Sequence, residues 1–240
     1  MKIIIITQNE PFFIPKLLKK IIYEYKEHIE LIVLLNPEEY KNKFKAFWYY
    51  LRFWGSFQFL KIGLKFINMK FSNKLGFQEV KTIQETDINN KKFINKAKNV
   101  DYIISIASNQ IFKSELLNAP KKMCLNIHAA LLPNYRGFNP SFWVLYNDEK
   151  YTGVTLHKMS DNLDQGAVIE QEKINIEKNE TWFSLQNKVV NVGIDVLKSI
   201  FPRLTNNNLE FKKINGKGSY YSKPCIKKGK EFRKRGKRFI

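Results

Sequence analysis

The chain has 240 residues, 44% of them hydrophobic, and its 41 Lys and Arg against 22 Asp and Glu give a formal charge of +19 at pH 7. That length fills one large α/β domain or one domain with a small appendage, and the apolar content excludes a disordered chain. Two cysteines, Cys124 and Cys225, exclude a disulfide scaffold, and three histidines without metal-ligand spacing give no zinc pattern, so no metal is expected. Most of the positive charge is spread along a chain rich in Lys, Asn and Ile, and no nucleic-acid partner is expected from it. The exception is the tail, KPCIKKGKEFRKRGKRFI, where nine of eighteen residues are Lys or Arg against one Glu, a composition suited to phosphates or an anionic membrane.

MKIIIIT reads as a buried parallel strand, an unbroken β-branched run with polar residues after it. Its apolar stretch is far too short for a signal peptide, so the cytoplasm is the expected compartment. QNEPFFIP makes a turn in which Pro11 and Pro15 delay helix until about Lys16. LLKKIIYEYKEH then predicts a helix and ELIVLLN a second strand, which completes a β-α-β unit. KAFWYYLRFWGSFQFLKIGLKFINMK follows, dense in aromatics with Arg52, Lys61 and Lys65 interspersed. It predicts a helix whose aromatic face packs on the sheet or on a partner subunit; an amphipathic helix on a membrane surface is the less favoured alternative.

KKFINKAKN predicts a helix, VDYIISIAS a strand, KSELLNAP a short helix and MCLNIH a strand, so elements alternate to about residue 130. The expected architecture is an α/β, open, mainly parallel, doubly wound (Rossmann-like) sheet, whose ligands gather at the carboxyl ends of the strands. A short helix near Ser141 to Tyr146 precedes two alternating strands, TGVTLHKM and AVIEQEKINI. TWFSLQNKVVNVGIDVLKSIF predicts a long amphipathic helix capped by Thr181, and NNNLEFKKING a polar turn and strand. Residues 1–203 are taken as the main body and 204–240 as a C-terminal extension of strand or hairpin and basic tail.

CLNIHAALLP ends an apolar run with an amide and an imidazole two positions apart. On a strand, residues i and i+2 share a face with Cα atoms about 6.5 Å apart, so Asn126 and His128 present side by side to one reacting group. An amide NH2 is a neutral donor suited to an oxyanion, and an imidazole takes or gives a proton near neutral pH. The group to orient that imidazole is Asp164 in SDNLDQGAVI, where Gly166 lets the backbone turn tightly.

Together, N-I-H-A-A-L-L-P-N-Y-R-G at 126–137 and H-K-M-S-D-N-L-D-Q-G at 157–166 resemble the signature of the formyltransferases that use N10-formyltetrahydrofolate. The resemblance covers residues 1 to about 200 and implies a fold of that type with a short C-terminal extension. It implies that Asn126 holds the formyl oxygen as it becomes an oxyanion, His128 exchanges a proton with the attacking amine, and Asp164 holds the imidazole. It also implies that the folate pterin lies on the backbone of Asn109, Gln110, Ile111 and Phe112 and of Met159, Ser160 and Asp161.

Three substrates occur in that family. The methionyl-tRNA enzymes carry a further barrel-like domain of about a hundred residues, which is not expected in 240 residues; the basic surface keeps methionyl-tRNA as an alternative acceptor. The glycinamide ribonucleotide enzymes use a glycine-rich phosphate loop after the first strand, whereas TQNEPFFIP has no glycine. The resemblance of TQNEPFFIP, and of GSYYSKP at 218–224, is to the nucleotide-sugar branch, which formylates amino-dideoxy sugars for surface polysaccharides such as the O-antigen of lipopolysaccharide. A dTDP-linked 4-amino-4,6-dideoxyglucose is therefore the expected acceptor. Gln8, Asn9 and Glu10 are expected on sugar or ribose, Phe12 and Phe13 on a base, and Arg136 and Lys223 on the pyrophosphate. The apolar surface of 46–69 and of GSYYSKP leads to the expectation of a homodimer. A non-catalytic binder of nucleic acid or membrane is the reading from another class.

Overall fold

The β-branched run at the start forms β1 (Ile3–Gln8), which pairs in parallel with β2 (Ile29–Leu35) on one side and β4 (Tyr102–Ile106) on the other. The computed structural model describes residues 1–36, 42–72, 79–214 and 216–240. Beyond β2 lies β3 (Thr82–Glu85), and beyond β4 lies β5 (Met123–His128), both parallel. Two antiparallel strands, β7 (Tyr151–Lys158) and β8 (Val168–Asn175), extend the sheet in the order β3-β2-β1-β4-β5-β7-β8. The fold is the expected α/β one, an open and mainly parallel sheet.

Alternation along the strands divides the core into two layers. Ile3, Ile5, Leu125, Ile127, Val154 and Leu156 meet α1 (Ile14–Tyr25) and α7 (Trp182–Thr205). Ile4, Ile6, Ile103 and Cys124 meet α4 (Lys91–Ala97) and α5 (Ser114–Leu117). Asn126 and His128 lie on the same side of β5 as Cys124, one and two steps further along, where the apolar cover gives out.

Thr181 caps α7 as expected, its hydroxyl accepting from the Ser184 N–H while the Ser184 hydroxyl accepts from the Thr181 N–H. Three local expectations are corrected, and two elements appear that were not expected. Helix α1 begins at Ile14, not Lys16, because Pro15 occupies its first turn, where no N–H is needed. Strand β3 has no unbroken apolar run to announce it, since its residues are only partly buried. The aromatic stretch is two helices, α2 (Lys43–Trp54) and α3 (Ser56–Ser72), broken at Gly55 with φ 81°. Among the described residues of 206–216 the expected strand is reduced to one bridge between Val168 and Lys212; Asn215 lies outside them. The basic tail, read above from its composition alone, contains a helix, α8 (Ile226–Lys234).

Helix α8 is held because Gly229 rests on Phe53 of α2; a Cβ there would lie 2.5 Å from the Phe53 ring. Phe232 and Phe239 enter the same core cluster as β1 and α7, so the 204–240 extension shares the main core. Near the sheet's carboxyl edge a two-stranded ribbon pairs β6 (Arg136–Gly137) in parallel with β9 (Tyr220–Tyr221). The remaining helix, α6 (Pro140–Tyr146), runs through buried Phe142 and Trp143.

Candidate active site

The register of β5 against β7 places Asn126 opposite His157 and His128 opposite Thr155. The loop leaving β7 folds back so that Asp164 meets both polar residues of β5. Gly166 is required for that return, because a Cβ there would lie 1.6 Å from the Lys158 carbonyl oxygen. Asp164 itself takes the left-handed conformation, φ 53°, a cost tolerated where surrounding contacts dictate the geometry.

The result is a buried polar cluster. His128 Nδ1 lies 3.7 Å from Asp164 Oδ2, and His157 Nε2 lies 3.6 Å from Asp164 Oδ1. The Asn126 amide nitrogen sits 3.1 Å from His157 Nε2 and donates to Asp164 Oδ1 at 3.4 Å. The Gly137 N–H donates to Asp164 Oδ2 at 2.8 Å. His128 Nε2 lies 2.8 Å from the Tyr135 carbonyl, which only an N–H can satisfy, so the neutral ring carries its lone pair on Nδ1, facing Asp164. By the same argument His157 Nδ1, 3.0 Å from the Lys158 carbonyl, carries a hydrogen and Nε2 accepts from Asn126.

Electrostatics follow from burial and partners. Burial pushes the His128 imidazolium down from its ordinary value, against the raising effects of Asp164 and the Tyr135 carbonyl, so the ring is neutral at rest. Burial raises Asp164, but its contacts with His157 and His128 and the hydrogen bond from the Gly137 N–H outweigh it and hold the carboxyl at about 2. A neutral base thus stands beside a carboxylate that stays ionised.

The loop after β5 is fixed from both sides. The Thr155 hydroxyl donates to the Ala130 carbonyl at 2.6 Å and accepts from the Leu132 N–H at 3.1 Å. From the other side the C-terminal GSYY docks on it: the Ser219 hydroxyl accepts from the Tyr135 N–H at 2.9 Å, and Tyr221 stacks on Tyr135 at 5.0 Å. Hence the C-terminal segment steadies the two backbone groups, Tyr135 C=O and Gly137 N–H, that hold His128 and Asp164. His157, Tyr135, Gly137 and Ser219 all lie within the quoted motifs, but their roles carry no signal in residue spacing; the strand register and the ribbon pairing assign them.

The residues expected at the folate are divided. Asn109 lies past the carboxyl end of β4, its amide donating to the Asn36 carbonyl at 3.3 Å, while among the described residues its buried Oδ1 has no hydrogen-bond partner. Ile111 is 70% exposed. Gln110 is engaged with Thr86 and Ile88, and Phe112 is buried in the core, so their side chains shape the loop whose backbone is expected at the pterin. Asp161 accepts from the Ser114 hydroxyl, which ties the second loop to α5, and Met159 packs beside the same layer. Ser160 donates to the Asn162 carbonyl at 3.0 Å. An unpartnered buried acceptor, an exposed apolar side chain and loop backbone fit a pterin, which has N–H donors and an apolar face.

At the expected sugar-nucleotide residues, Gln8 ends β1 and the Asn9 amide donates to Asn36 at 3.4 Å, so amides line the ends of neighbouring strands. Glu10 is instead committed to α1, its carboxylate accepting from the N–H groups of Phe12, Phe13 (2.9 Å) and Ile14 (3.2 Å), where the helix dipole favours negative charge. Phe13 is only 7% exposed and packs on Phe183 and Trp182, so it belongs to the core and not to a base; Phe12, half-buried, touches Phe66 and Phe183. Arg136 donates to the Lys217 carbonyl at 3.3 Å, and its buried Nε has no partner among the described residues. Lys223 lies over the Tyr49 and Phe138 rings.

Comparison with known proteins agrees with this arrangement. A family model described as formyl transferase matches residues 68–200. A methionyl-tRNA formyltransferase of Clostridioides difficile (strain 630) is 37% identical over 157 residues, 58% of this chain and 51% of that protein. The chain spans about half or less of the length of the first curated relatives it matches. A solved 4-N formyltransferase from Francisella tularensis superposes with TM-score 0.62 at 25% identity, covering 92% of this chain and 76% of that one. The N-formyltransferase of Helicobacter canadensis, solved with folinic acid and dTDP-3-aminofucose, shares the fold (TM-score 0.61, 19% identity, 97% and 80% covered).

Proposed function

The chain belongs to the formyl transferase family, and from that membership we propose that it moves the formyl group of N10-formyltetrahydrofolate to the amine of a nucleotide-linked amino-dideoxy sugar. The observation that carries the reading is the buried convergence of Asn126, His128 and Asp164, with the Nδ1 lone pair of His128 facing an ionised carboxylate. Bound folate supplies the formyl carbon, and Asn109, Ile111 and the 159–161 backbone are the groups that would hold it.

The roles of the trio follow from their bonds. As the amine attacks, negative charge grows on the formyl oxygen; the Asn126 amide meets it by exchanging its long 3.4 Å bond to Asp164 for the new acceptor. His157 keeps the other bond and so keeps the amide oriented. The amine's proton passes to His128 Nδ1, and the imidazolium formed there pairs with Asp164, already ionised. His128 would return that proton to the donor nitrogen as its bond to the formyl carbon breaks and the oxyanion collapses to the new amide. Neutral Nδ1 at rest is what lets it act as the acceptor.

For the acceptor, the amides of Gln8 and Asn9 at the strand ends suit sugar hydroxyls, and Arg136, with Nε unpartnered among the described residues, suits a pyrophosphate. The lack of glycine in the first loop argues against a phosphomonoester cradle. dTDP-4-amino-4,6-dideoxyglucose, a precursor class for surface polysaccharides, is the substrate proposed. The 37% identity over 157 residues with a methionyl-tRNA formyltransferase supports a second reading, methionyl-tRNA as the acceptor. The test offers purified protein a panel of nucleotide-linked amino sugars, glycinamide ribonucleotide and methionyl-tRNA with formylated folate, followed by mass. Formylation of a dTDP-amino sugar is expected; formylation of methionyl-tRNA and of none of the sugars would overturn the reading.

A further inference from the structure

Helices α2 and α3 bury one side and leave the other uncovered. Phe53 and Ile62 anchor them in the core at 4% and 3% exposure, and Phe66 reaches Phe12. On the outer side of α3, Phe57, Leu60, Leu64 and Ile67 form a stripe at helical spacing, each between 51% and 69% exposed. On α2, Phe44, Phe47 and Trp48 are likewise exposed at helical spacing, and Phe47 meets Phe59 of α3 at 5.2 Å, which ties the two helices together. An exposed apolar surface of this extent on one helical pair marks an interaction site.

The charged residues in the sequence of the two helices are of one sign. Residues 43–72 contain Lys43, Lys45, Arg52, Lys61, Lys65 and Lys70 and no Asp or Glu. Lys61 lies over the Phe57 ring at 4.5 Å and Arg52 over Trp48 at 5.9 Å, so cations flank the stripe itself. Helix α8, packed on α2 through Gly229 and through Arg233 bonded to the Arg52 and Phe53 carbonyls, adds exposed Lys227, Lys230 and Lys234 on a helix adjoining α2.

We propose that the outer face of α2 and α3, with the adjoining basic helix α8, docks on an anionic lipid bilayer. Aromatic and aliphatic side chains enter the boundary between headgroups and acyl chains while the flanking Lys and Arg meet lipid phosphates, the pattern of an interfacial amphipathic surface. Among the described residues no helix is long and apolar enough to cross a membrane, so this surface lies on it. A second copy is the poorer occupant: an isologous contact through this face would set acid-free cationic helices against each other in a chain of charge +19. Nucleic acid would satisfy the cations and stack on aromatics, but leaves Leu60, Leu64 and Ile67 without a partner.

The test is flotation of the full chain with vesicles of phosphatidylcholine carrying about one-third phosphatidylglycerol, against phosphatidylcholine alone. The protein is expected to float with the anionic vesicles only. Leu60→Ser/Leu64→Ser and Lys45→Glu/Lys61→Glu are each expected to lower the bound fraction about ten-fold while thermal unfolding and formyl transfer hold. Lys91→Glu/Lys92→Glu, on α4 across the sheet, should leave it within about two-fold. Absence of flotation, equal loss in the Lys91/Lys92 pair, or undiminished binding by the Leu60/Leu64 pair would overturn the proposal. So would a dimer in sedimentation that the Leu60/Leu64 pair splits, or transfer RNA binding lost in that pair without any lipid binding.

Discussion

His128 Nδ1 stands 3.7 Å from Asp164 Oδ2 while the other ring nitrogen is held by the Tyr135 carbonyl at 2.8 Å. The imidazole therefore has one free lone pair, and the group opposite it welcomes a proton there. The carboxylate gives this pair its direction: it favours the charged ring that burial alone would forbid.

That balance predicts a pH profile. Burial lowers His128 below the ordinary value of 6.5, so the acid limb of kcat/KM is expected below that pH. Asp164 raises the His128 value, so Asp164→Asn should move the limb further down while lowering the rate; a limb that moves up contradicts the assignment.

Stability carries the same groups. Asp164 is depressed from 3.8 to about 2, so its contribution is present above the unfolded value and is lost as pH falls through the folded one. His128 acts in the same sense, since the unfolded chain takes up a proton at a higher pH than the folded one. The thermal midpoint should fall on acidification below about pH 6.5, and the fall below about pH 4 should be shallower in Asp164→Asn.

His157 is expected to position Asn126 without touching substrate. His157→Phe should lower kcat roughly ten-fold with KM nearly unchanged, a smaller loss than that of the proton acceptor itself. His157→Gln, whose amide oxygen can accept where Nε2 does, should restore part of it. Steady-state kinetics on both variants separates this from general destabilisation, which would not distinguish Phe from Gln.

Gly218 fixes the C-terminal segment on the site, since a Cβ there would lie 2.0 Å from the Pro133 carbonyl oxygen and φ is +60°. Gly218→Ala should cost about 1–3 kcal/mol in urea unfolding and reduce kcat, because the loop carrying Tyr135 and Gly137 must shift. At Gly216, where φ is +91° and nothing lies within 4 Å of an added Cβ, the Ala variant should lose less stability and keep kcat.

Phe232, fully buried beside Phe142 at 4.9 Å, tests whether 204–240 is an appendage. Phe232→Ala should lower the stability of the whole chain by about 3–5 kcal/mol in one transition. Loss confined to a separate, minor transition would make the extension an independent unit.

Much of this was legible in the residues. The β-branched runs of β1 and β4, the Thr181 cap and the i, i+2 spacing of Asn126 and His128 are local signals, and the two linked motifs placed Asp164 with them. What was not legible is set by pairing across the chain. His157 enters through antiparallel register, and Ser219 and Tyr221 through a ribbon to residues some eighty positions away. Glu10 and Phe13 looked like ligand contacts because the polar and aromatic character of a turn is the same whether it faces a substrate or caps a helix. Helix α8 was hidden by its charge, since only Gly229 and Phe232 of its nine residues are buried.

The most direct measurement is the rate of formyl transfer to the dTDP-amino sugar at saturating concentrations in Asn126→Ala and His128→Ala, alongside circular dichroism. The account predicts a loss of about 10²–10⁴-fold in each with the fold retained. A folded His128→Ala enzyme turning over within about two-fold of the parent would contradict it, because the lone pair of the other imidazole beside Asp164, His157 Nε2, is taken up by the Asn126 amide and His128 is the group left to take the amine's proton.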